Sequence, residues 1–175
     1  LPLDMSEGHY GVSLLNDCKY GHSALDGVMT LTLIKSGIEP NPTADQEEHT
    51  FTYALYPHAE GWRQANTVQE AMKLNQPLLS EEGGQAGCQN SFVWVDKSNV
   101  IIETVKMAED DDGIIVRLYE SENAKTKAHI FFGEKISSVE SCNCLEEIKQ
   151  TIETDGEGFE ITVKPYEIQT YRVRF

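Results

Sequence analysis

Val100-Ile101-Ile102-Glu103-Thr104-Val105-Lys106-Met107 leads into Ala108-Glu109-Asp110-Asp111-Asp112 and then Gly113-Ile114-Ile115-Val116-Arg117-Leu118-Tyr119-Glu120. Two runs of strand length, rich in β-branched residues, flank a short acidic segment ending on Asp-Gly. Glycine adopts positive φ at little steric cost, so the pair reads as a β-hairpin. The same period-two pattern recurs on both sides. Met29, Leu31 and Leu33 share one face while Thr30 and Thr32 take the other, which predicts a strand over 28–34. Phe51, Tyr53 and Leu55 alternate with Thr50, Thr52 and Ala54 to give a strand over 50–56, and 11–15 reads as a shorter one. Residues 128–132 and 136–140 flank Gly133 as a further expected hairpin. Phe159, Ile161 and Val163 share a face, as do Tyr171, Val173 and Phe175 after Pro165, with Asp155-Gly156 as the turn before this last pair.

One helix interrupts the strands. Thr67 followed by Glu70 reads as a capping box, with Val68, Ala71 and Met72 at helical spacing and Asn75 and Pro77 as stops. A helix this short is expected to survive by packing on a sheet. Ser80-Glu81-Glu82-Gly83-Gly84-Gln85-Ala86-Gly87 holds no apolar residue larger than Ala and reads as a linker or long surface loop. The expected fold is all-β, mainly an antiparallel β-sandwich with one short helix.

Composition narrows the partners. The chain has 175 residues, with 14 Lys plus Arg against 29 Asp plus Glu and a net charge of −15. Nucleic acid and anionic lipid are disfavoured, because the densest positive cluster is only Lys125 and Lys127. Apolar runs such as 92–95 fall far short of the ~20 residues that span a bilayer, so no membrane partner is expected. The chain begins at Leu1 without a charged-then-apolar leader, which makes a piece of a longer, cytoplasmic polypeptide the expectation. Cys18, Cys88, Cys142 and Cys144 are too few for a disulfide scaffold and read as free thiols. On a strand Cys142 and Cys144 would point the same way, but their spacing is not that of a zinc knuckle.

Each candidate site has a plainer reading beside it. Counted from Asp110, a calcium loop would need Gly at its sixth position and Glu at its twelfth; Ile115 and Ser121 stand there, so a solvated hairpin tip is expected. His49 and His58 flank the 50–56 strand without ligand spacing, and His58, after Pro57 in a loop, is the better binding candidate. Asn16-Asp17-Cys18-Lys19-Tyr20-Gly21 concentrates polar and aromatic groups where a strand emits a loop. It reads either as a turn bonded to its own backbone or as a ligand-facing loop. There is no Gly-x-Ser-x-Gly elbow, P-loop or Gly-x-Gly-x-x-Gly motif, and no catalytic residue is assigned.

The string from Gly11 to Gly21 resembles a segment of the α-mannosidases of glycoside hydrolase family 38, closest to the cytosolic branch. The resemblance continues through 31–36, 45–58, 100–106, 113–120 and 164–171, in the order the family shows. It is a resemblance to the C-terminal part of such enzymes. It implies that residues 1–90 form the end of the large mannosidase β-sandwich and 91–175 the terminal β-sandwich. It further implies a retaining hydrolase of terminal α-D-mannosides, whose nucleophile, acid/base residue and divalent metal (zinc or cobalt) lie in an N-terminal catalytic domain. No cofactor or metal ligand is thereby assigned to this chain. By the same resemblance, Asn16, Asp17, Lys19 and Tyr20, and less directly His58, would wall the substrate pocket. The implied partners are that catalytic domain and an α-mannoside or oligosaccharide, with homo-oligomers allowed. Two other readings remain: an independent carbohydrate-binding module using Trp62, Trp94 or Tyr119, which otherwise pack in the core, and a docking surface without catalysis.

Overall fold

The computed structural model describes residues 2–80, 82, 83 and 91–175. The chain divides into two units, Leu1–Glu82 and Gly83–Phe175. Of the linker expected over 80–87, only Ser80, Glu82 and Gly83 fall within the described residues; Cys88 lies outside them.

The first unit contains β1 (Leu3–Ser6), β2 (Tyr10–Asn16), β3 (His22–Leu25), β4 (Val28–Leu31), β5 (Tyr53–Ala59) and α1 (Thr67–Asn75). β1, β2 and β5 form an antiparallel sheet with β2 in the middle, and β3 pairs with β4 as a separate hairpin. Register gives the sheet two unlike faces. Leu3, Leu14 and Leu55 line up on one, and Asp4, Ser13 and Tyr56 on the other.

The second face lies under α1, where the Thr67 hydroxyl meets Ser13 and the Tyr56 hydroxyl donates to Ala65 O at 3.0 Å. The helix has the predicted extent, but its start differs from the capping box. Asn66 is the N-cap in a left-handed conformation with φ 52°, and no side chain caps the helix. Thr67 is 1% exposed with its hydroxyl turned to the sheet, while Glu70 pairs with Lys73 at 2.7 Å. A tertiary bond has thus taken Thr67, and an ion pair within the helix has taken Glu70.

The second unit contains β6 (Val93–Val95), β7 (Val100–Met107), β8 (Ile114–Glu120), β9 (Thr126–Phe132), β10 (Ser138–Cys142), β11 (Ile148–Ile152), β12 (Gly158–Val163) and β13 (Ile168–Arg174). Two sheets, ordered β11-β10-β13-β8-β7 and β12-β9-β6, form a sandwich. Its core holds Val116, Leu118, Val139 and Val173 from the first sheet and Ile130, Phe159, Ile161 and Val163 from the second. The β7–β8 hairpin is as the sequence predicts, with Gly113 at φ 93°.

The hairpin expected around Gly133 does not form. β9 pairs with β12 and β6, whereas β10 pairs with β11 and β13. The chain at 133–137 therefore passes from one sheet to the other, burying Ile136 on the way. The acidic tip of the β7–β8 hairpin is ion-paired rather than simply solvated. Asp110 meets Arg172 at 2.7 Å and Asp112 meets Arg174 at 2.9 Å, and these contacts hold both carboxyls below their ordinary range.

Glu120, 0% exposed, ties three segments together. Its Oε1 accepts from Asn99 Nδ2 at 2.9 Å and from Glu122 N at 2.8 Å, and its Oε2 accepts from Tyr166 N at 3.0 Å. Burial pushes the carboxyl up, but these donors outweigh burial and bring it below the ordinary value. Glu120→Gln keeps the volume and turns an acceptor into a donor facing donors. It should cost about 1–3 kcal/mol near neutral pH, measured by urea unfolding. Because the folded-state pKa is depressed, the ionised group stabilises the fold above its unfolded value of about 4.3 and loses that effect as pH falls through the folded value. The gap between wild type and variant should therefore shrink in acid; a gap independent of pH would contradict this role.

Candidate functional site

β1, β2, β5 and α1 bring Asp4, Ser13, His58 and Thr67 into one buried polar cluster. His58 Nε2 donates to Asp4 Oδ1 at 2.8 Å, Ser13 Oγ donates to the same oxygen at 2.6 Å, and Ser13 also meets Thr67 Oγ1 at 2.9 Å. Ser6 Oγ completes the shell by donating to Asp4 Oδ2. Burial pushes the Asp4 carboxyl up, but the bonds from Ser13, Ser6 and His58 bring it below its ordinary range.

Serine, histidine and aspartate together resemble a nucleophile relay, yet the connectivity is wrong for one. A relay needs serine on one imidazole nitrogen and carboxylate on the other. Here Ser13 Oγ and Asp4 Oδ1 both lie at Nε2, at 3.1 and 2.8 Å, while Nδ1 faces only Ala59 O at 3.4 Å. The cluster joins three strands to the helix.

His58 therefore lies in β5, not in a loop, and is 8% exposed. β5 is an outer strand of its sheet among the described residues, the position where a proline such as Pro57 is tolerated in a strand. His58 pairs with Gly11 and Asn16 pairs with Tyr53, so five rungs of the ladder, roughly 16 Å, separate His58 from the other candidates.

The 16–20 loop bonds partly to itself and partly to the segment that precedes β5. Asn16 is buried; its Oδ1 accepts from Lys19 N at 2.6 Å and its Nδ2 donates to His22 Nε2 at 3.0 Å. Asp17 Oδ2 accepts from Thr52 N at 2.8 Å. The Cys18 thiol and that N–H hold the Asp17 carboxyl below its usual range, and the same pairing raises the thiol. Lys19 Nζ sits 4.6 Å above the Phe51 ring. Tyr20 is 88% exposed and turned to solvent. The turn reading thus describes Asn16, Asp17 ties the loop to the segment before β5, and a ligand-facing role has Tyr20 and the Lys19 ammonium to draw on.

Cys18, Cys142 and Cys144 are free thiols; Cys142 ends β10 and is buried, whereas Cys144 lies exposed in the following turn, so the two do not share a strand face. Among the described residues no three His, Cys, Asp or Glu side chains form a metal-holding group, and no helix is long and apolar enough to cross a membrane.

Residues 99–171 match the C-terminal beta sandwich domain of the glycosyl hydrolases family 38, and residues 3–43 match that family's C-terminal domain. The chain belongs to glycosyl hydrolase family 38. The first match falls in the second unit and the other in the first unit, where it includes Asn16, Asp17, Lys19 and Tyr20 but not His58.

Similar family 38 proteins include alpha-mannosidase G of Dictyostelium discoideum, 34% identical over 97% of this chain and 16% of its own length. Alpha-mannosidase 2C1 of Homo sapiens is 34% identical over 82% of this chain and 14% of its own. An alpha-mannosidase from Enterococcus faecalis V583 shares the fold at 20% identity, with a TM-score of 0.73 over 98% of this chain and 20% of that one. The chain spans only 14–18% of the length of the curated relatives it matches.

The Asp4–His58 cluster, which motif reading missed, has one signal in the sequence: Gly11, opposite His58. A Cβ at Gly11 would lie 2.3 Å from His58 Cε1, so a side chain there must displace the imidazole. Gly11→Ala should destabilise the protein by about 1–3 kcal/mol in thermal or urea unfolding and shift the His58 ring resonances in NMR. Unchanged resonances and an unchanged unfolding midpoint would contradict the packing described.

Proposed function

We propose that this chain is the C-terminal β-sandwich region of a cytoplasmic α-mannosidase that hydrolyses terminal α-D-mannosides with retention, and that it supports and walls the pocket of a catalytic domain in the same polypeptide. The observation that carries this reading is the alignment: 97% of the chain matches an α-mannosidase of which it covers 16%. The chemistry, including the divalent metal, belongs to the remainder of such an enzyme, and no step is assigned to residues of this chain.

The two faces of the first sheet support the scaffold role. The face under α1 is polar and bonded. The opposite face carries Leu55 at 65% and Tyr53 at 57% exposure, beside Val28 of β4 at 59%. These residues line an apolar groove of about 500 Å³ with Leu14 and Leu31. A soluble protein seldom leaves such a surface bare, and a further layer of polypeptide would cover it.

Tyr20 is the residue to test for the pocket wall, because its exposure separates function from folding. In the full-length enzyme Tyr20→Ala should leave the unfolding temperature unchanged and lower kcat/KM for α-mannosides about tenfold, the size of one lost ring-stacking contact. Unchanged kcat/KM in a folded variant would remove Tyr20 from the pocket. The isolated 175-residue chain should not turn over an aryl α-mannoside, and measurable turnover would overturn the scaffold reading.

A further inference from the structure

The outer face of the β12-β9-β6 sheet carries an aromatic platform. Alternation along β9 sends Ala128, Ile130 and Phe132 to the core, which leaves Lys127, His129 and Phe131 on the opposite face. Trp94 of β6 pairs with Phe131 across the ladder and so shares that face. The two rings stack, 12° from parallel with centroids 5.4 Å apart, and the His129 ring continues the row 4.2 Å from Phe131. Trp94 remains 42% exposed, outside the core expected for it.

Gly158 lies opposite Phe131, and a Cβ there would come 2.5 Å from His129 Nε2. The bare glycine therefore gives the imidazole its place in the row. A cleft of about 450 Å³ opens beside the rings, lined by Trp94, Phe131, Glu134, Lys135, Asp155 and Glu157.

The shape and the rim select one ligand class. The indole stacks on Phe131 through one face and is still 42% exposed, which leaves aromatic surface suited to the C–H face of a pyranose; a cation is instead held over a ring face by its charge. Three carboxylates and one ammonium on the rim accept from and donate to hydroxyl groups, and the excess of carboxylates repels phosphate and sulfate. Asp155 is fixed by bonds from Glu157 N at 2.9 Å and Gly158 N at 2.8 Å to its Oδ1, and its Oδ2 lies 3.8 Å from His129 Nε2.

We propose that the cleft beside the stacked Trp94–Phe131 pair binds a neutral saccharide, with a pyranose face on the indole and hydroxyls bonded to Asp155, Glu157 and Glu134. This site belongs to the second unit and goes beyond the scaffold reading, which stands or falls on turnover by the isolated chain.

The test uses the full chain with α-mannobiose, cellobiose and lactose as probes. Trp62→Phe leaves Trp94 as the one indole, so its fluorescence reports the site. Saturable quenching or enhancement by at least one probe is expected, with a dissociation constant of about 1 mM. Calorimetry should show Trp94→Ala weakening that binding about tenfold and Glu157→Ala weakening it several-fold. Trp94→Phe, which keeps a ring, should retain part of the affinity should the alanine variant lose its fold. No saturable response to any probe up to about 50 mM would overturn the proposal, as would equal affinity in folded Trp94→Ala.

Discussion

Strand β9 is hydrogen-bonded on both sides, to β12 and to β6, and a one-residue slip in either ladder would exchange its two faces. The cost of that slip is what holds the second unit in register. Ala128, Ile130 and Phe132 would leave the core, and Lys127 and His129 would enter it without partners. Phe132 stacks on Phe159 at 6.2 Å, and Phe159 in turn reaches Tyr171 of the other sheet at 4.9 Å. One register thus builds the contact between sheets and also sets Trp94 and Phe131 side by side on the outside.

The parts of the fold that could be read in the sequence were those decided by neighbours in the chain. β7 and β8 are joined by a short acidic turn with glycine at positive φ, so local chemistry determines their pairing. Gly133 carried a similar turn signal, but β9 and β10 belong to different sheets. Alternation identifies a strand and its buried face; it does not tell which sheet the strand joins. His58 was misplaced for a related reason: Pro57 reads locally as a break, and only the outer position of β5 lets the strand run through it. In the candidate loop, Asn16 and Asp17 could be seen as turn formers or ligands; Asn16 bonds Lys19 N within the turn, whereas Asp17 reaches Thr52 N, 35 positions on, which no local pattern announces. The Asp4–Ser13–His58–Thr67 cluster joins residues up to 63 positions apart, from β1 to α1, and its one mark in the sequence, Gly11, gains meaning only once β2 is paired with β5.

The first unit shows how polar burial and apolar exposure can divide a single sheet. Under α1 the buried hydroxyls of Ser13 and Thr67, the His58 imidazole and the Asp4 carboxylate bond one another, so the helix covers that face over a connected polar cluster. The opposite face holds Tyr53 and Leu55, whose exposed area would favour a covering layer at ~25 cal/mol per Å² removed from water. A further layer can therefore add on that side without disturbing the hydrogen bonds on the other. This asymmetry is what makes a scaffold role physically coherent for a sheet of three strands.

The acidic composition follows a similar logic at the hairpin tip. Arg172 is buried, and a buried guanidinium is tolerable only with counter-charges at hand. Asp110 lies 2.7 Å from it and Glu146 3.9 Å, and Glu146 is itself held by Lys106 at 2.8 Å and by Glu109 N at 2.8 Å. Arg174 in turn bridges Asp112 and Glu140, so both arginines of β13 reach the acidic tip of the β7–β8 hairpin. The three-aspartate run that resembled the start of a cation loop therefore meets cations supplied by the chain itself. Its spacing suits this pairing, since the first and third carboxylates reach the arginines while Asp111, at φ 59°, makes the turn between them.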